Sequence, residues 1–154
     1  MEQIALTMLN CYNDIDFYIS GIETYIVRTA VYSYCGASMA KHKTTLRQTA
    51  DILAMIEKKD DLLILKRLIE SSLNRLTDFQ RLLIKKAFFE KISKDELTQT
   101  LSLTKRTLYR RLHSTVNSFA KSLALEDFEQ EWFYENCLSQ NWIKTIYAKA
   151  KLIA

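Results

Sequence analysis

The sequence has no proline, only two glycines and only two histidines in its 154 residues. Proline and glycine are the residues that most often interrupt helices, so their scarcity favours an all-α, multi-helix fold. Two isolated glycines cannot form a phosphate-binding loop. Neither His42 nor His113 has a carboxylate or a nucleophile at a useful spacing, so we expect no catalytic residues and no enzyme. A helical enzyme that gathers either histidine with distant carboxylates stays open as a third interpretation.

Cysteines and long apolar runs are also scarce. Cys11, Cys35 and Cys137 are widely spaced and lack a CxxC or Cys/His pattern, which predicts buried reduced thiols rather than disulfides or a zinc site. We expect no metal and no other cofactor. No apolar run approaches the roughly 20 residues that span a bilayer, and the first residues lack the basic start of a secretory signal. The prediction is a cytoplasmic protein without a membrane partner.

The composition is that of one soluble domain, with 48% apolar and 26% charged residues. The charge is unevenly distributed. Residues 77–125 contain ten bases and four acids, a net charge of +6, whereas the net charge of the whole chain is +4. A run of charged residues is often only a solvated surface, but a concentrated basic segment is also the electrostatic pattern of a nucleic-acid binder.

Residues 1–76 are predicted to form a helical N-terminal region that serves packing or dimerisation. A helix is expected over about 13–33, followed by a break at 35–38 around Gly36. A second helix should run from Thr44 or Thr45 to about Ile56, and a third should begin at Asp60. The apolar residues expected inside these helices are Ile15, Ile19, Ile22, Ile26, Ala30, Leu46, Ala50, Leu53, Ile56, Leu62, Leu65, Leu68, Ile69 and Leu73.

Residues 77–125 are predicted to form a helix-turn-helix preceded by a supporting helix. Thr77 and Gln80 have the spacing of a capping box. In a capping box at a helix N-terminus, the side chain of each residue accepts a hydrogen bond from the backbone amide of the other. Ser93 and Glu96 repeat that spacing, so a helix should begin at Lys94. The turn is expected at 101–103. The apolar residues expected to face the core up to this turn are Leu82, Leu83, Ala87, Phe88, Leu97 and Leu101.

The second helix of the pair should follow Thr104, its expected cap, and continue to about Leu123. Its apolar residues advance by three or four positions, which is the spacing of one buried stripe. They are Leu108, Leu112, Val116, Phe119 and Leu123. Positions 105–121 contain no Asp or Glu. A helix with cationic, hydrogen-bonding side chains on its outer face fits a DNA major groove.

The stretch from about Arg75 to Leu123 resembles the DNA-binding region four of bacterial sigma factors. It is also similar to the related module of phage late-gene regulators of the ArpU type, whose pattern is E-I-A-x-x-L-G-I-S-x-x-T-V-x-x-x-L. The matching residues are Glu96, Leu97, Leu101, Leu103, Thr104, Thr107, Leu108 and Leu112. Thr98 and Ser102 stand where the pattern has Ala and Gly. The resemblance implies a sequence-specific, DNA-binding transcription regulator.

On this interpretation double-stranded DNA is the partner, and RNA polymerase is a further partner that the resemblance suggests. Arg106 and Arg110 are the expected bidentate readers of guanine, a contact worth about 1–3 kcal/mol. The predicted DNA-binding residues are Lys94, Thr104, Lys105, Arg106, Thr107, Tyr109, Arg110 and His113. The alternative is a protein-interaction module of the same fold, which holds RNA polymerase or an anti-sigma partner without reading DNA. Burial of Tyr109 and Arg110 against the terminal helices would favour that alternative.

Residues 126–154 form an acidic, aromatic-rich tail that is predicted to contain one or two helices. Both this tail and the N-terminal region carry more apolar surface than a terminal helix leaves in water. They are expected either to pack on each other in one monomeric core or to form the interface of a homodimer, since helix-turn-helix proteins often bind DNA as two-fold dimers. Docking of the tail on a protein partner is a further interpretation.

Overall fold

Helix covers nearly all of the chain that the structure, a computed structural model, describes: residues 1–34 and 45–150. The all-α prediction is confirmed, because these residues form seven helices and no strand. The helices are α1 (Glu2–Tyr34), α2 (Thr45–Asn74), α3 (Asp78–Ile84), α4 (Lys94–Thr100), α5 (Lys105–Ala124), α6 (Gln130–Trp132) and α7 (Asn141–Lys149). Single wide π-helical turns, Lys85–Phe89 and Phe133–Cys137, continue α3 and α6.

The capping residues predicted for the first two helices of the 77–125 segment lie at the starts of those helices. The Thr77 hydroxyl accepts from the Gln80 amide at 3.3 Å, and Gln80 Oε1 accepts from the Thr77 amide at 3.1 Å, which completes the capping box. Ser93 Oγ accepts from the Glu96 amide at 3.2 Å, the hydroxyl half of the second predicted box. These bonds satisfy amides that have no partner inside the helix. The starts of α3 and α4 are therefore fixed by local chemistry.

Leu83, Leu97, Leu108 and Leu112 form one buried cluster that joins α3, α4 and α5. The residues packed around the cluster are Ala87, Phe88, Ile92, Leu101 and Leu103. The predicted stripe of α5 is confirmed, since Leu108, Leu112, Val116, Phe119 and Leu123 are all buried. The three helices thus form the core of a helix-turn-helix with its supporting helix, as predicted.

The described part of the chain divides into two compact units, residues 1–13 with 65–150, and residues 14–34 with 45–64. We call the second the two-helix unit, because it consists of the later part of α1 and the earlier part of α2. These units cut across the three segments predicted from the sequence. The roles assigned to those segments stay predictions.

Both ends of the described chain contribute to the core of the first unit. The buried residues of these ends include Ile4, Leu6, Met8, Leu9, Phe133, Cys137 and Ile143. Gln3 Nε2 donates to the Tyr147 carbonyl at 3.0 Å, which links the start of α1 to α7. This agrees with the interpretation in which the two ends pack on each other; a homodimer stays a prediction.

A second link joins the end of α2 to the turn after α5. Ser71 Oγ donates to the Glu126 carboxylate at 2.6 Å, and Arg75 pairs with the same carboxylate. These hydrogen bonds, first from Ser71 and then from Arg75, lower the pKa of Glu126. Ser122 Oγ also donates to the Ser72 carbonyl at 3.2 Å. The α5 helix is therefore held at its C-terminal end as well as by its buried stripe.

Several helix boundaries predicted in the N-terminal region were wrong. The first helix begins at Glu2 rather than near residue 13, and α2 runs without a break through the predicted boundary between Ile56 and Asp60. Charged residues occupy that boundary, and the segment has no Pro or Gly to stop a helix. The predicted break at 35–38 and the possible cap Thr44 lie outside the described residues.

Some residues expected in the core are exposed. Leu46 and Leu53 are 83% and 55% exposed, and Ile56 and Leu82 are 39% and 41% exposed. Ala30 and Ala50 are exposed as well. Helical spacing identifies an apolar stripe, but burial requires a second element against that stripe. In α1, Ile15 and Ile19 are buried as predicted, whereas Ile22 and Ile26 are half-buried.

The predicted thiols at Cys11 and Cys137 are both buried. Cys35 lies outside the described residues. No helix among the described residues has the length and apolar character required to cross a bilayer.

Candidate nucleic-acid interface

The turn between α4 and α5 is a Schellman motif. The Leu103 amide donates to the Thr98 carbonyl at 2.9 Å and the Ser102 amide donates to the Gln99 carbonyl at 3.2 Å, the two bonds that define this helix ending. Ser102 has a φ of 51°, the left-handed conformation that glycine usually supplies. Leu103 then packs on the buried cluster that contains Leu97. The predicted turn at 101–103 is thus sharp, although serine occupies its left-handed position.

The start of α5 is capped by Thr104, as predicted. Its hydroxyl accepts from the Thr107 amide at 3.3 Å and lies 2.9 Å from the Thr107 hydroxyl. Thr104 is exposed and Thr107 is half-exposed. The Thr104 hydroxyl therefore caps the helix, and both hydroxyls lie at its accessible end, where backbone amides can bind an anion such as phosphate.

Arg106 and Arg110 lie one helical turn apart on the exposed side of α5. Neither guanidinium pairs with a carboxylate of the described residues, whose ion pairs involve other bases. Residues four apart are neighbours on a helix surface. The pair presents two adjacent planar groups of hydrogen-bond donors, each able to bind a guanine edge or a phosphate bidentately.

Lys105 is an exposed member of the predicted set, but it is already paired. Its Nζ lies 2.6 Å from Asp95 Oδ1, and this hydrogen bond raises the pKa of Lys105. Asp95 lies on α4, so the pair links the two helices of the helix-turn-helix. A phosphate that approached Lys105 would compete with that carboxylate.

Lys94 and Tyr109 contact each other. The Lys94 ammonium lies 4.6 Å from the centre of the Tyr109 ring, a cation–π distance. Both side chains are half-buried, and both line a cavity that also contacts Leu6 and Asn10 of α1. Tyr109 therefore faces the interior of the first unit more than the predicted outer face, whereas Arg110 is exposed.

His113 is exposed on the same helix and contacts two polar neighbours. Its Nδ1 lies 2.9 Å from Asn117 Nδ2, and its Nε2 lies 3.5 Å from Glu2 Oε1. Glu2 and His113 form an ion pair only when the imidazole is protonated. The start of α1 thus lies beside the middle of α5, where DNA contacts were also predicted.

Arg111, which follows Arg110, points to the supporting helix. Its guanidinium lies 4.9 Å from the centre of the Phe79 ring.

The structure thus groups Thr104, Arg106, Thr107 and Arg110 at one accessible end of α5, and it turns Lys94 and Tyr109 toward each other.

The partners Glu2, Leu6 and Asn10 were not identified from the sequence, because they lie about a hundred positions from α5 and no local pattern joins them to it. No group of His, Cys, Asp and Glu that could hold a metal ion occurs among the described residues. Comparison with known proteins found no matching family model, no matching curated protein and no matching solved structure.

Proposed function

We propose that the protein is a sequence-specific DNA-binding transcription regulator, in which a helix-turn-helix similar to sigma region four places the start of α5 in the major groove. The observation that carries this proposal is the pair Arg106 and Arg110, which lies exposed and one turn apart beyond the Thr104 cap. Arginine bidentate to guanine is the commonest specific contact in the major groove. The proposed roles are base reading for the two arginines and phosphate binding for Thr104 and Thr107.

The charge around the site supports the same role. The 77–125 segment has a net charge of +6, and Lys91 is exposed while Lys86 is half-exposed. Such bases attract the phosphate backbone without regard to sequence. Binding releases counterions from the DNA, and added salt weakens the attraction because it makes that release less favourable. We expect sequence-specific contacts from two arginines within a larger, salt-dependent electrostatic attraction.

The test is a DNA titration with charge-matched variants. A preferred site is first selected from a random duplex pool, and its binding is followed by fluorescence anisotropy at several salt concentrations. Arg106→Ala and Arg110→Ala should each weaken binding by about 1–3 kcal/mol, with most of the loss confined to the selected sequence. The control is Arg67→Ala, an exposed arginine of α2 that lies outside the helix-turn-helix.

Loss of affinity in both α5 variants but not in the control supports the proposal. Equal affinity and equal salt dependence in all three variants would contradict it. A palindromic selected site would indicate a dimer on DNA, whereas an asymmetric site would support the sigma-like arrangement.

A protein-interaction role is the second candidate function, favoured by the exposed apolar side chains of the two-helix unit. The exposed apolar residues there include Phe17, Val27, Val31, Leu46 and Leu53. Apolar patches rimmed by polar residues often bind proteins. A second copy of this chain and RNA polymerase are the two partners of this proposal.

The mass of the protein in solution tests the first of these partners. A dimer that dissociates in the double variant Leu46→Gln, Leu53→Gln would support self-association through α2. The matched control is Leu125→Gln, an exposed leucine of the first unit. A monomeric protein that binds RNA polymerase but selects no DNA sequence would instead favour the polymerase partner over DNA reading.

A further inference from the structure

A cavity of about 220 Å³ lies within the first unit, beside the helix-turn-helix. Its walls include Leu6 and Asn10 from α1, Phe88 from the π-helical turn after α3, Lys94 from α4, and Tyr109 and Leu112 from α5. The cavity therefore contacts both helices of the helix-turn-helix and the first helix of the chain. It is separate from the exposed face that carries Arg106 and Arg110.

The lining of the cavity combines apolar walls with a lysine that forms no ion pair within the described ranges 1–34 and 45–150. Leu6 and Leu112 are buried and Phe88 is half-buried, which makes the walls mainly apolar. Lys94 is half-buried, and among the described residues its ammonium contacts the Tyr109 ring rather than a carboxylate. A partly buried charge without a counter-ion is costly, because burial removes water and an aromatic ring replaces only part of that solvation.

These features define the chemistry of a ligand. A dry apolar cavity of about 150 Å³ is known to bind benzene. The cavity here is larger, so it has room for an aromatic ring or a branched alkyl group of that size together with a small head group. Lys94 has no counter-ion among the described residues, and an anionic head group would supply one. A charge-assisted hydrogen bond to an ammonium is stronger than a neutral one.

We propose that this cavity binds a small amphipathic carboxylate, with its anionic group on Lys94 Nζ and its apolar part against Leu6, Phe88 and Leu112. Pockets for small molecules commonly combine an apolar lining with a few placed polar groups. Tyr109 and Asn10 are the polar groups that would orient the head group beside Lys94. The proposal does not depend on DNA binding.

The test uses phenylacetate as the probe, the full chain and isothermal titration calorimetry in the absence of DNA. We expect saturable binding with a Kd of about 0.1–1 mM, the range expected for a ligand of about ten non-hydrogen atoms. Phenylacetamide has the same shape without the charge. It should bind about tenfold more weakly, because the hydrogen bond between Lys94 and a charged carboxylate is replaced by one to a neutral amide oxygen.

Three variants locate the binding. Lys94→Met keeps an apolar chain of similar length and should weaken phenylacetate about tenfold while leaving phenylacetamide nearly unchanged. Ala87→Leu, which adds a side chain at the cavity wall, should weaken both probes. The control is Lys121→Met, an exposed lysine of α5 that does not line the cavity.

Two results would overturn the proposal. The first is the absence of saturable binding by the parent protein. The second is equal affinity for phenylacetate and phenylacetamide, a comparison that needs no variant to fold. Since no readout contains DNA, failure here is distinguishable from failure of the proposed regulator function.

Discussion

The helix-turn-helix and the two-helix unit both carry apolar side chains at helical spacing, but these side chains are mostly buried in the first, whereas many of them are exposed in the second. Leu108 of α5 is completely buried, whereas Leu46 of α2 is 83% exposed. In the helix-turn-helix three helices meet, and each apolar stripe has a facing stripe. In the two-helix unit several apolar side chains, among them Val27, Leu46 and Leu53, are more than half exposed in the described part of the chain. An apolar stripe stabilises a fold only where a second surface removes it from water.

Hydrogen bonds also fix the helix ends of the 77–125 segment. Side-chain caps lie at the starts of α3, α4 and α5, and a Schellman turn joins α4 to α5. In the two-helix unit, Lys59 Nζ and Glu23 Oε1 form an ion pair between the helices, at 2.9 Å. A surface ion pair of this kind contributes about 0–1 kcal/mol. We therefore expect substitutions to affect stability far more in the helix-turn-helix.

The largest expected effect is that of a truncation in the buried cluster. Leu108→Ala should lower the free energy of unfolding by about 2–5 kcal/mol, because it removes apolar contacts and leaves a cavity. The matched truncation in the two-helix unit is Leu53→Ala, at a position that is 55% exposed, and it should change stability by less than about 0.5 kcal/mol. Urea unfolding of both variants measures the difference. Similar losses would mean that a partner surface covers Leu53 in solution.

The next effect concerns the cap of α5. Thr104→Ala should cost about 1 kcal/mol, because the Thr107 amide loses its acceptor at a helix end. Thr49→Ala in the two-helix unit removes a hydroxyl that donates to the Thr45 carbonyl inside a helix, at 3.0 Å. That carbonyl already accepts a backbone hydrogen bond within the helix, so the loss of stability should be small. Urea unfolding compares the two variants. A cost at Thr49 equal to that at Thr104 would show that capping is not what distinguishes the regions.

A smaller effect of opposite sign is expected at the turn. Ser102→Gly should stabilise the protein by roughly 0.5–1 kcal/mol, because glycine adopts the left-handed conformation of this residue without steric cost. The control is Ser114→Gly, an exposed serine inside α5, where glycine should instead cost about 0.5 kcal/mol. Thermal unfolding distinguishes the two signs. A destabilised Ser102→Gly variant would contradict the assignment of the turn.

The smallest effect is a change in the pH dependence of stability. Hydrogen bonds from Ser71 and Arg75 lower the pKa of Glu126 below its ordinary value of 4.5, so the ionised carboxylate is favoured in the folded state. The contribution of this carboxylate to the free energy of unfolding is fully present above the unfolded-state pKa. It is lost as the pH falls through the lowered folded-state pKa. Glu126→Gln should therefore destabilise the protein at pH 7, and the difference should narrow below about pH 4.

The control for this measurement is Glu129→Gln, an exposed acid just beyond the same turn. Thermal unfolding of both variants across this pH range gives the comparison. A Glu126→Gln variant whose deficit stays constant with pH would rule out a role for the ionised carboxylate.

Local features of the sequence predicted much of the helix-turn-helix. The caps at Thr77, Ser93 and Thr104 were predictable because each is a bond between residues three positions apart. The apolar stripe of α5 was predictable because its apolar residues advance by three or four positions, which places them on one face of a helix. The continuity of α2 was missed, since charged residues between Ile56 and Asp60 suggested an end where no helix-breaking residue exists.

The surroundings of the predicted DNA-binding residues were not predictable in the same way. Spacing placed Tyr109 and His113 on the outer face of α5 together with Arg106 and Arg110. In the structure Tyr109 contacts Lys94 beside a cavity, and His113 lies near Glu2. Both depend on where the first helix packs, and contacts across about a hundred positions leave no periodic signal in one sequence.

The sequence by itself determined an all-α fold, the caps at the starts of α3, α4 and α5, and a basic segment with arginines one turn apart on α5. These are consequences of backbone conformation and of bonds within one or two turns. Only the tertiary structure decided which apolar stripes are buried, which bases of α5 keep their charge unpaired, and that a cavity beside Lys94 adjoins the same helix. Burial and pairing depend on a second surface, and the sequence of one helix does not contain its neighbour.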